Sequence, residues 1–159
     1  MIRMISLATI LLLAAAGPAA ADACGDAYGK KDWAGALTAC TAAADKGNAK
    51  AGYRLGQMYR KGSGVKKDAA MAAGWYRKAA DLGVRQAQMK LGDLYFRGKG
   101  VAKDPVQAHM WVSIATAKKR SDAVTAWLAK LEKDMPPADV AKAKAMAADK
   151  IKEIAARKK

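Results

Sequence analysis

The sequence predicts an all-α protein built as a stack of helix–loop–helix units, and two observations carry that prediction. The stretch LGQMYRKGSGVKKD, from Leu55 to Asp68, recurs as LGDLYFRGKGVAKD from Leu91 to Asp104, with the same residue at eight of fourteen positions. Apolar residues around both stretches recur every three or four positions, as they do on one face of a helix. Because one helical pair cannot bury its apolar face alone, neighbouring copies are expected to pack into a continuous core.

The N-terminal residues, 1–21, predict a secretory signal peptide. Arg3 precedes an apolar run of twelve residues, Gly17-Pro18 interrupts it, and three alanines follow. A membrane span needs about 20 apolar residues, so a cleaved signal fits better than an anchor. We therefore expect a periplasmic or secreted protein with no integral membrane span after cleavage.

The 36-residue spacing of an aspartate and a glycine continues along the chain towards the N-terminus. It therefore indicates an earlier, shorter unit at residues 23–47, ahead of the two copies. The alignment places Cys24 at the inward position of Leu55 and Cys40 at that of Tyr76, on the partner helix. In an oxidising compartment, two cysteines that face each other across a helical pair predict a disulfide. Cleavage after residue 23 would instead leave Cys24 first, so a lipoprotein with an acylated Cys24 stays open.

The second unit, residues 48–83, is predicted as two helices joined by a glycine loop. Gly56 lies within the first helix, where glycine costs about 1 kcal/mol relative to alanine, which indicates that another helix passes close by. Glycines at 62 and 64 predict a loop with backbone angles that side chains resist, and Asp68 predicts the start of the second helix. The two apolar stripes are Ala51, Leu55 and Tyr59, then Ala72, Trp75, Tyr76, Ala79 and Ala80.

The third unit, residues 84–119, repeats the pattern with a stronger start to its second helix. Asp104 is followed by Pro105 at the first helical position and Gln107 at the third. Its stripes are Ala87, Leu91 and Tyr95, then Ala108, Trp111, Val112 and Ala115.

The frame LGxxYxxGxGVxxD, followed by an alanine, WY, KAA and G, resembles the Sel-1-like repeat, a relative of the tetratricopeptide repeats. The resemblance covers about Ala23 to Lys118 and implies a right-handed α-solenoid over residues 22–118. The first unit departs from the pattern by its short loop. The third has Val112 for the second aromatic residue and Lys119 for the closing glycine, as expected for a terminal unit.

The C-terminal segment, residues 120–159, predicts two more helices separated at Pro136-Pro137. It is similar to the C-terminal extension of many exported Sel-1-like proteins, which implies helices that cap the solenoid. The outer face is basic and the chain ends in Arg157-Lys158-Lys159, so the last turn could also lie on an anionic membrane. The two apolar stripes are Val124, Trp127, Leu128 and Leu131, then Val140, Ala143, Ala147, Ile151 and Ile154.

The resemblance to tetratricopeptide repeats implies a partner-binding concave face lined by the first helix of each unit. Basic groups with two aromatic rings suit an acidic or C-terminal segment of a protein or peptide partner. The implied positions are Lys50, Tyr53, Gln57, Arg60, Lys61, Gln86, Met89, Asp93, Phe96 and Arg97.

The excess of basic over acidic residues limits the chemical classes of partner that the chain is expected to bind. The chain has 29 basic and 14 acidic residues, a formal charge of +15, which favours anionic partners. Export disfavours nucleic acid, whereas an anionic cell-envelope component remains an alternative to an acidic protein.

Catalytic chemistry is weakly indicated. Ser63 and Lys66 read S-x-x-K, and some cysteine-rich members of the family that the chain resembles are described as β-lactamases, so a cell-envelope hydrolase or penicillin-binding protein is the alternative function. That motif needs its serine at a helix start, whereas Ser63 falls in a glycine loop. His109 is interpreted as a partly exposed structural residue, and one histidine with two cysteines does not make a metal site. We therefore predict a non-catalytic adaptor or scaffold that needs no cofactor or metal.

Overall fold

The computed structural model describes residues 18–118 and 121–157, and this part of the chain is entirely helical. It holds eight α-helices and no strand. The helices are α1 (Pro18–Gly29), α2 (Trp33–Asp45), α3 (Ala49–Lys61), α4 (Ala69–Asp81), α5 (Arg85–Arg97), α6 (Pro105–Thr116), α7 (Asp122–Lys133) and α8 (Pro137–Ala156).

The first six helices form three successive pairs, and the pairs stack into a solenoid of helical repeats. Within a pair, α1 packs on α2, α3 on α4 and α5 on α6, while α2 contacts α3 and α4 contacts α5 between pairs. The long helix α8 then lies against α6, which also contacts α7. The C-terminal helices thus cover the exposed side of the last pair, as a cap does.

Aspartate side chains begin the second helix of every pair, as the sequence predicts. Asp32, Asp68 and Asp104 each accept a hydrogen bond from the backbone amide three residues later, at 3.0, 2.9 and 2.9 Å. Each bond satisfies an amide that the helix itself leaves unpaired. The glycines at 62, 64, 98 and 100 all have positive φ, from 64° to 76°, as the loop prediction requires.

The core follows the predicted stripes at most positions, but the aromatic pair of α4 is shifted, Tyr59 is only half-buried and Ile151 is exposed. Leu55, Leu91 and Trp111 are buried, and so is Tyr76. Trp75 is only half-buried, with the Lys78 ammonium 4.3 Å from its ring centroid. Tyr76 is therefore the ring that fills the space between α3 and α4, and Trp75 lies towards the first unit.

Gly56 and Gly92 mark the closest approach within their pairs. A Cβ at Gly56 would stand 2.6 Å from Tyr76 ring carbons, and a Cβ at Gly92 would stand 2.7 Å from Val112 Cγ2. Because real Cβ atoms do not approach so closely, the pairs could not pack this tightly with alanine there. The prediction that a second helix passes close to these glycines is confirmed.

The loop glycines also join each unit to the one before it. A Cβ at Gly64 would stand 2.3 Å from Cβ of Trp33, and one at Gly100 would stand 2.1 Å from the carbonyl oxygen of Ala69. Trp33 and Ala69 are the first residues of α2 and α4. Each glycine loop thus rests on the start of the second helix of the preceding unit.

Cys24 and Cys40 form a disulfide between α1 and α2, with their Cα atoms 4.6 Å apart. Both are fully buried, at the inward positions that the alignment assigned them. They stand at the centre of the smaller hydrophobic cluster, which also contains Leu55 and Met58 of α3. The bridge therefore holds the first helix against the rest of the core.

Parts of the predicted signal peptide and tail lie outside the described residues. These are residues 1–17 of the signal peptide and Lys158-Lys159 of the basic tail, together with Lys119 at the end of the third unit. Among the helices that are described, none combines the length and the hydropathy that crossing a membrane would require.

Candidate functional site

A groove opens between the first helices of successive units. It has a volume of about 500 Å³ and is built from α1, α3 and the segment that leads into α5. Its lining residues are Tyr28, Lys50, Tyr53, Arg54, Gln57, Gly83, Val84, Arg85 and Gln86.

A chain of hydrogen bonds fixes the two tyrosines of the groove. The Tyr28 hydroxyl donates to Oε1 of Gln57 at 2.8 Å, and Nε2 of Gln57 donates to the Tyr53 oxygen at 3.0 Å. Because the Tyr53 oxygen accepts this bond, its own O–H remains a donor. The groove therefore presents a phenol whose position is set before any ligand arrives.

The surroundings of Tyr28 favour the protonated phenol. Burial raises the pKa of Tyr28, the nearby Tyr53 adds to that effect, and Arg54 and Arg60 oppose it. Burial likewise raises the pKa of Tyr76, which lies under the groove against the Tyr53 ring at a centroid distance of 5.7 Å. Neutral phenols can donate hydrogen bonds to an anion, whereas phenolates would repel it.

The charge of the groove is positive. Lys50 and Arg54 line it, and the described lining residues include no carboxylate. The acid next to the wall at residues 83–86, Asp81 at the end of α4, accepts from the Lys150 ammonium at 2.8 Å. The wall at residues 83–86 is thus flanked by a carboxylate that already has a cationic partner.

Four of the ten sequence-predicted positions come together in this groove, namely Lys50, Tyr53, Gln57 and Gln86. The others lie elsewhere or have partners within the chain. Phe96 packs edge-on against Trp127 of α7, with centroids 5.3 Å apart, and Asp93 accepts from Arg97 at 2.6 Å. Arg60 and Met89 are half-buried, and Lys61 is exposed at the end of α3.

Sequence reasoning missed Tyr28, Arg54 and the wall at residues 83–85. Tyr28 belongs to the first unit and reaches across to Gln57 of the next unit. Arg54 lies over Gly25, where an added Cβ would stand 3.4 Å from its guanidinium. The absence of a side chain at Gly25 was the one signal in the sequence that could have indicated this contact.

The structure corrects the interpretation of His109, which is buried at 1% exposure rather than partly exposed. Its Nε2 donates to Oε1 of Glu132 at 2.7 Å, and the Lys144 ammonium reaches the same oxygen at 3.1 Å. Ser113 Oγ lies 3.3 Å from the other ring nitrogen. These residues border a cavity of about 430 Å³ between α6, α7 and α8.

The order serine, histidine, carboxylate is the one that nucleophilic hydrolases use. Ser113 lies inside α6, however, where the helix pairs the neighbouring backbone amides with its own carbonyls, so they are not aimed at a developing oxyanion. We therefore interpret the cluster as a junction that ties α7 and α8 to α6. Ser63 of the S-x-x-K motif lies in the loop between α3 and α4, as predicted, and the described residues contain no cluster that could ligate a metal.

Comparison with known protein families identifies repeats in two of the three helical pairs. The Sel1 repeat model matches residues 49–84 and 85–118, which contain α3 with α4 and α5 with α6. No curated protein matches the chain.

Two solved structures are similar over most of the chain. One is c5321, a protective antigen present in uropathogenic Escherichia coli strains and displaying an SLR fold, with 31% identity and a TM-score of 0.76 over 87% of this chain. The other is a Sel1 repeat protein from Oxalobacter formigenes, with 27% identity and a TM-score of 0.62 over 80% of this chain. The matches span 30% and 54% of those two chains, so this chain corresponds to part of each. Residues 49–118 of this all-helical solenoid therefore form two Sel1 repeats.

Proposed function

We propose that this chain is an exported, non-catalytic adaptor that binds an acidic segment of a protein partner in the groove between α1, α3 and α5. Sel1 repeats generally serve as scaffolds for protein–protein interaction and are typically non-catalytic. The finer statement, which concerns export and an acidic partner, rests on the features of this chain described below.

The observation that carries the proposal is the composition of the groove. Lys50 and Arg54 supply positive charge beside the Tyr53 hydroxyl, and no carboxylate stands among the described lining residues. Charge-assisted hydrogen bonds to carboxylates are about twice as strong as neutral ones. Two ring faces add apolar surface beside them, as peptide-binding sites do.

Export is supported by two independent features. Residues 1–21 have the pattern of a cleavable signal, and Cys24 and Cys40 form a buried bridge. Structural disulfides persist in oxidising compartments such as the bacterial periplasm. We accordingly place the adaptor outside the cytoplasm.

The test compares two exposed lysines on the same unit. Lys50→Glu reverses a charge inside the groove, and Lys66→Glu makes the same change in the loop between α3 and α4. The probe is a fluorescein-labelled nine-residue peptide with three aspartates, and its asparagine counterpart is the control ligand. By fluorescence anisotropy, we expect Lys50→Glu to weaken binding of the aspartate peptide about tenfold or more and Lys66→Glu to weaken it less than about threefold.

Equal losses in the two variants would show that general positive charge, rather than the groove, attracts the peptide. Failure of the wild-type chain to prefer aspartate to asparagine would overturn the proposal. The alternative ligand, an anionic envelope polymer, predicts retention on isolated peptidoglycan that falls with salt but is the same for both variants. Circular dichroism at 222 nm checks that both variants keep the wild-type helix content.

A further inference from the structure

A second pocket adjoins the groove on the far side of Gly83. It has a volume of about 340 Å³ and lies between the start of α5, the end of α6 and the C-terminal half of α8. Gly83 and Arg85 line both cavities, so the two are neighbours across one thin wall. A single bound segment could therefore contact both of them.

Aliphatic side chains form much of the second pocket, whereas tyrosine, glutamine and basic side chains line the groove. Its walls include Ile114, Ile151 and Ile154, and Ile151 keeps 37% of its surface exposed although it is a large apolar residue. The buried amide of Gln88 donates to the Ala80 carbonyl at 3.1 Å, so this polar group is already satisfied inside the fold. The isoleucines of this pocket offer apolar contact to an aliphatic side chain.

The charge around the second pocket matches that of the groove. Lys118 lines it, and its described lining contains no carboxylate. Asp81, two residues before Gly83, and Glu153, beside Ile154, both accept from Lys150, at 2.8 and 2.9 Å. A partner segment with negative charge would thus meet no unpaired carboxylate among these residues.

We propose that the partner segment is acidic and also carries an aliphatic side chain, which enters the pocket formed with α8. This inference rests on the proposed function, since the acidic part of the same segment occupies the groove. It gives α8 a second role besides capping, because this helix, outside the matched repeats, supplies Ile151, Ile154 and Ala155 to the pocket. The basic groove and the adjoining aliphatic pocket together form one surface that would recognise an acidic segment with an aliphatic side chain.

The experiment uses paired peptides on the full mature chain. Each nine-residue peptide has three aspartates followed, one to four positions later, by leucine or by glycine. We expect at least one leucine peptide to bind about tenfold more tightly than its glycine counterpart. We expect Ile151→Ser to abolish that advantage while Met71→Ser, which changes an equally large side chain exposed at 44% and lining neither cavity, keeps it.

A second variant keeps the test sharp if Ile151→Ser alters the cap. Ala155→Trp would fill the same pocket from its exposed rim, and Ala141→Trp makes the same change elsewhere on α8. We expect only Ala155→Trp to reduce the affinity of the leucine peptide to that of the glycine peptide.

Two failures are distinguishable. Equal binding of the leucine and glycine peptides at every spacing would overturn this inference and leave the acidic groove intact. Absence of binding by both kinds of peptide would refute the proposed function, and this inference with it.

Discussion

Gly56 and Gly92 show how single atoms set the distance between the helices of a repeat. In both units, a methyl group in place of the glycine hydrogen would overlap the facing side chain, Tyr76 in one and Val112 in the other. The contact keeps one geometry although the facing residue differs in size. The position of the helix backbones, rather than the facing side chain, is therefore what the repeat maintains.

Gly56→Ala should destabilise the fold by about 1–3 kcal/mol, because the new methyl group would have to displace a fully buried ring. The matched control is Gly74→Ala, since Gly74 lies on the exposed side of α4 with no atom within 4 Å of an added Cβ. There we expect a gain of about 0.5–1 kcal/mol from helix propensity. Urea unfolding followed by circular dichroism measures both, and a neutral Gly56→Ala would show that the helices can move apart at little cost.

At this scale the sequence predicts residues whose role depends on the repeat itself. The aspartate caps and the loop glycines recur at one spacing, and the cysteines occupy inward positions of the same repeat, so alignment alone identifies them. Tyr28 and His109 could not be assigned in this way. The partner of Tyr28 belongs to the next unit and that of His109 to α7, outside the repeats, so each depends on how separate elements dock.

Among the elements, α7 and α8 depend on a polar junction at α6. The Glu132 carboxylate receives His109 from α6 and Lys144 from α8, and so connects three helices at one oxygen. Two apolar contacts support it nearby, at Leu128 and Leu131, which are both buried. The cap is therefore attached by a charged group as well as by packing.

The junction should make the stability of the fold depend on acidic pH. Hydrogen bonds from His109 and then Lys144 lower the pKa of Glu132 below its ordinary value of 4.5. Because the unfolded chain binds a proton at this site more readily, the stabilisation is complete above about pH 4.5 and is lost as pH falls through the lower pKa of the folded state. Glu132→Gln should consequently be less stable than wild type at pH 7, and the difference should shrink as the pH approaches 3.

Unfolding in urea at a series of pH values between about 3 and 7 tests this sign. Asp45→Asn removes an exposed carboxylate at the end of α2 and serves as the control, for which we expect a small and nearly constant difference. A Glu132→Gln difference that stayed constant over the whole range would mean that packing alone attaches the cap.

For the whole molecule, the excess positive charge lowers the stability of the fold and raises the affinity for anionic partners. The chain carries a formal charge of +15, and such an excess destabilises a compact state through self-repulsion while it attracts anionic partners. Salt screens both interactions, over about 10 Å at 0.1 M. The same ions should therefore favour folding and disfavour the proposed complex.

Raising sodium chloride from about 20 mM to about 300 mM should increase the thermal unfolding midpoint and weaken binding of the aspartate peptide severalfold. Differential scanning fluorimetry and fluorescence anisotropy follow the two effects on one preparation. Sucrose, which stabilises compact states without screening charge, should raise the midpoint and leave the affinity unchanged. Salt that strengthened peptide binding would indicate an apolar rather than an ionic site.

The overall architecture was accessible from the sequence because it follows from one repeated spacing, which fixes helices, loops and their inward faces together. The groove was accessible only in part. Helical geometry within a unit fixes four of its residues, Lys50, Tyr53, Gln57 and Gln86. The wall at Gly83 and the contribution of α8 arise instead from rotations between units. A spacing does not encode such rotations.

The contact of each glycine loop with the preceding unit determines whether further repeats could be added to the chain. Gly64 meets residue 33 and Gly100 meets residue 69, so both junctions join positions 31 apart. The second repeat thus carries both a loop that fits the unit before it and a helix start that receives the next loop. A duplicate of residues 49–84 placed after Val84 would find a fitting neighbour on each side, so the protein can lengthen by whole modules and widen its groove without a change at either end.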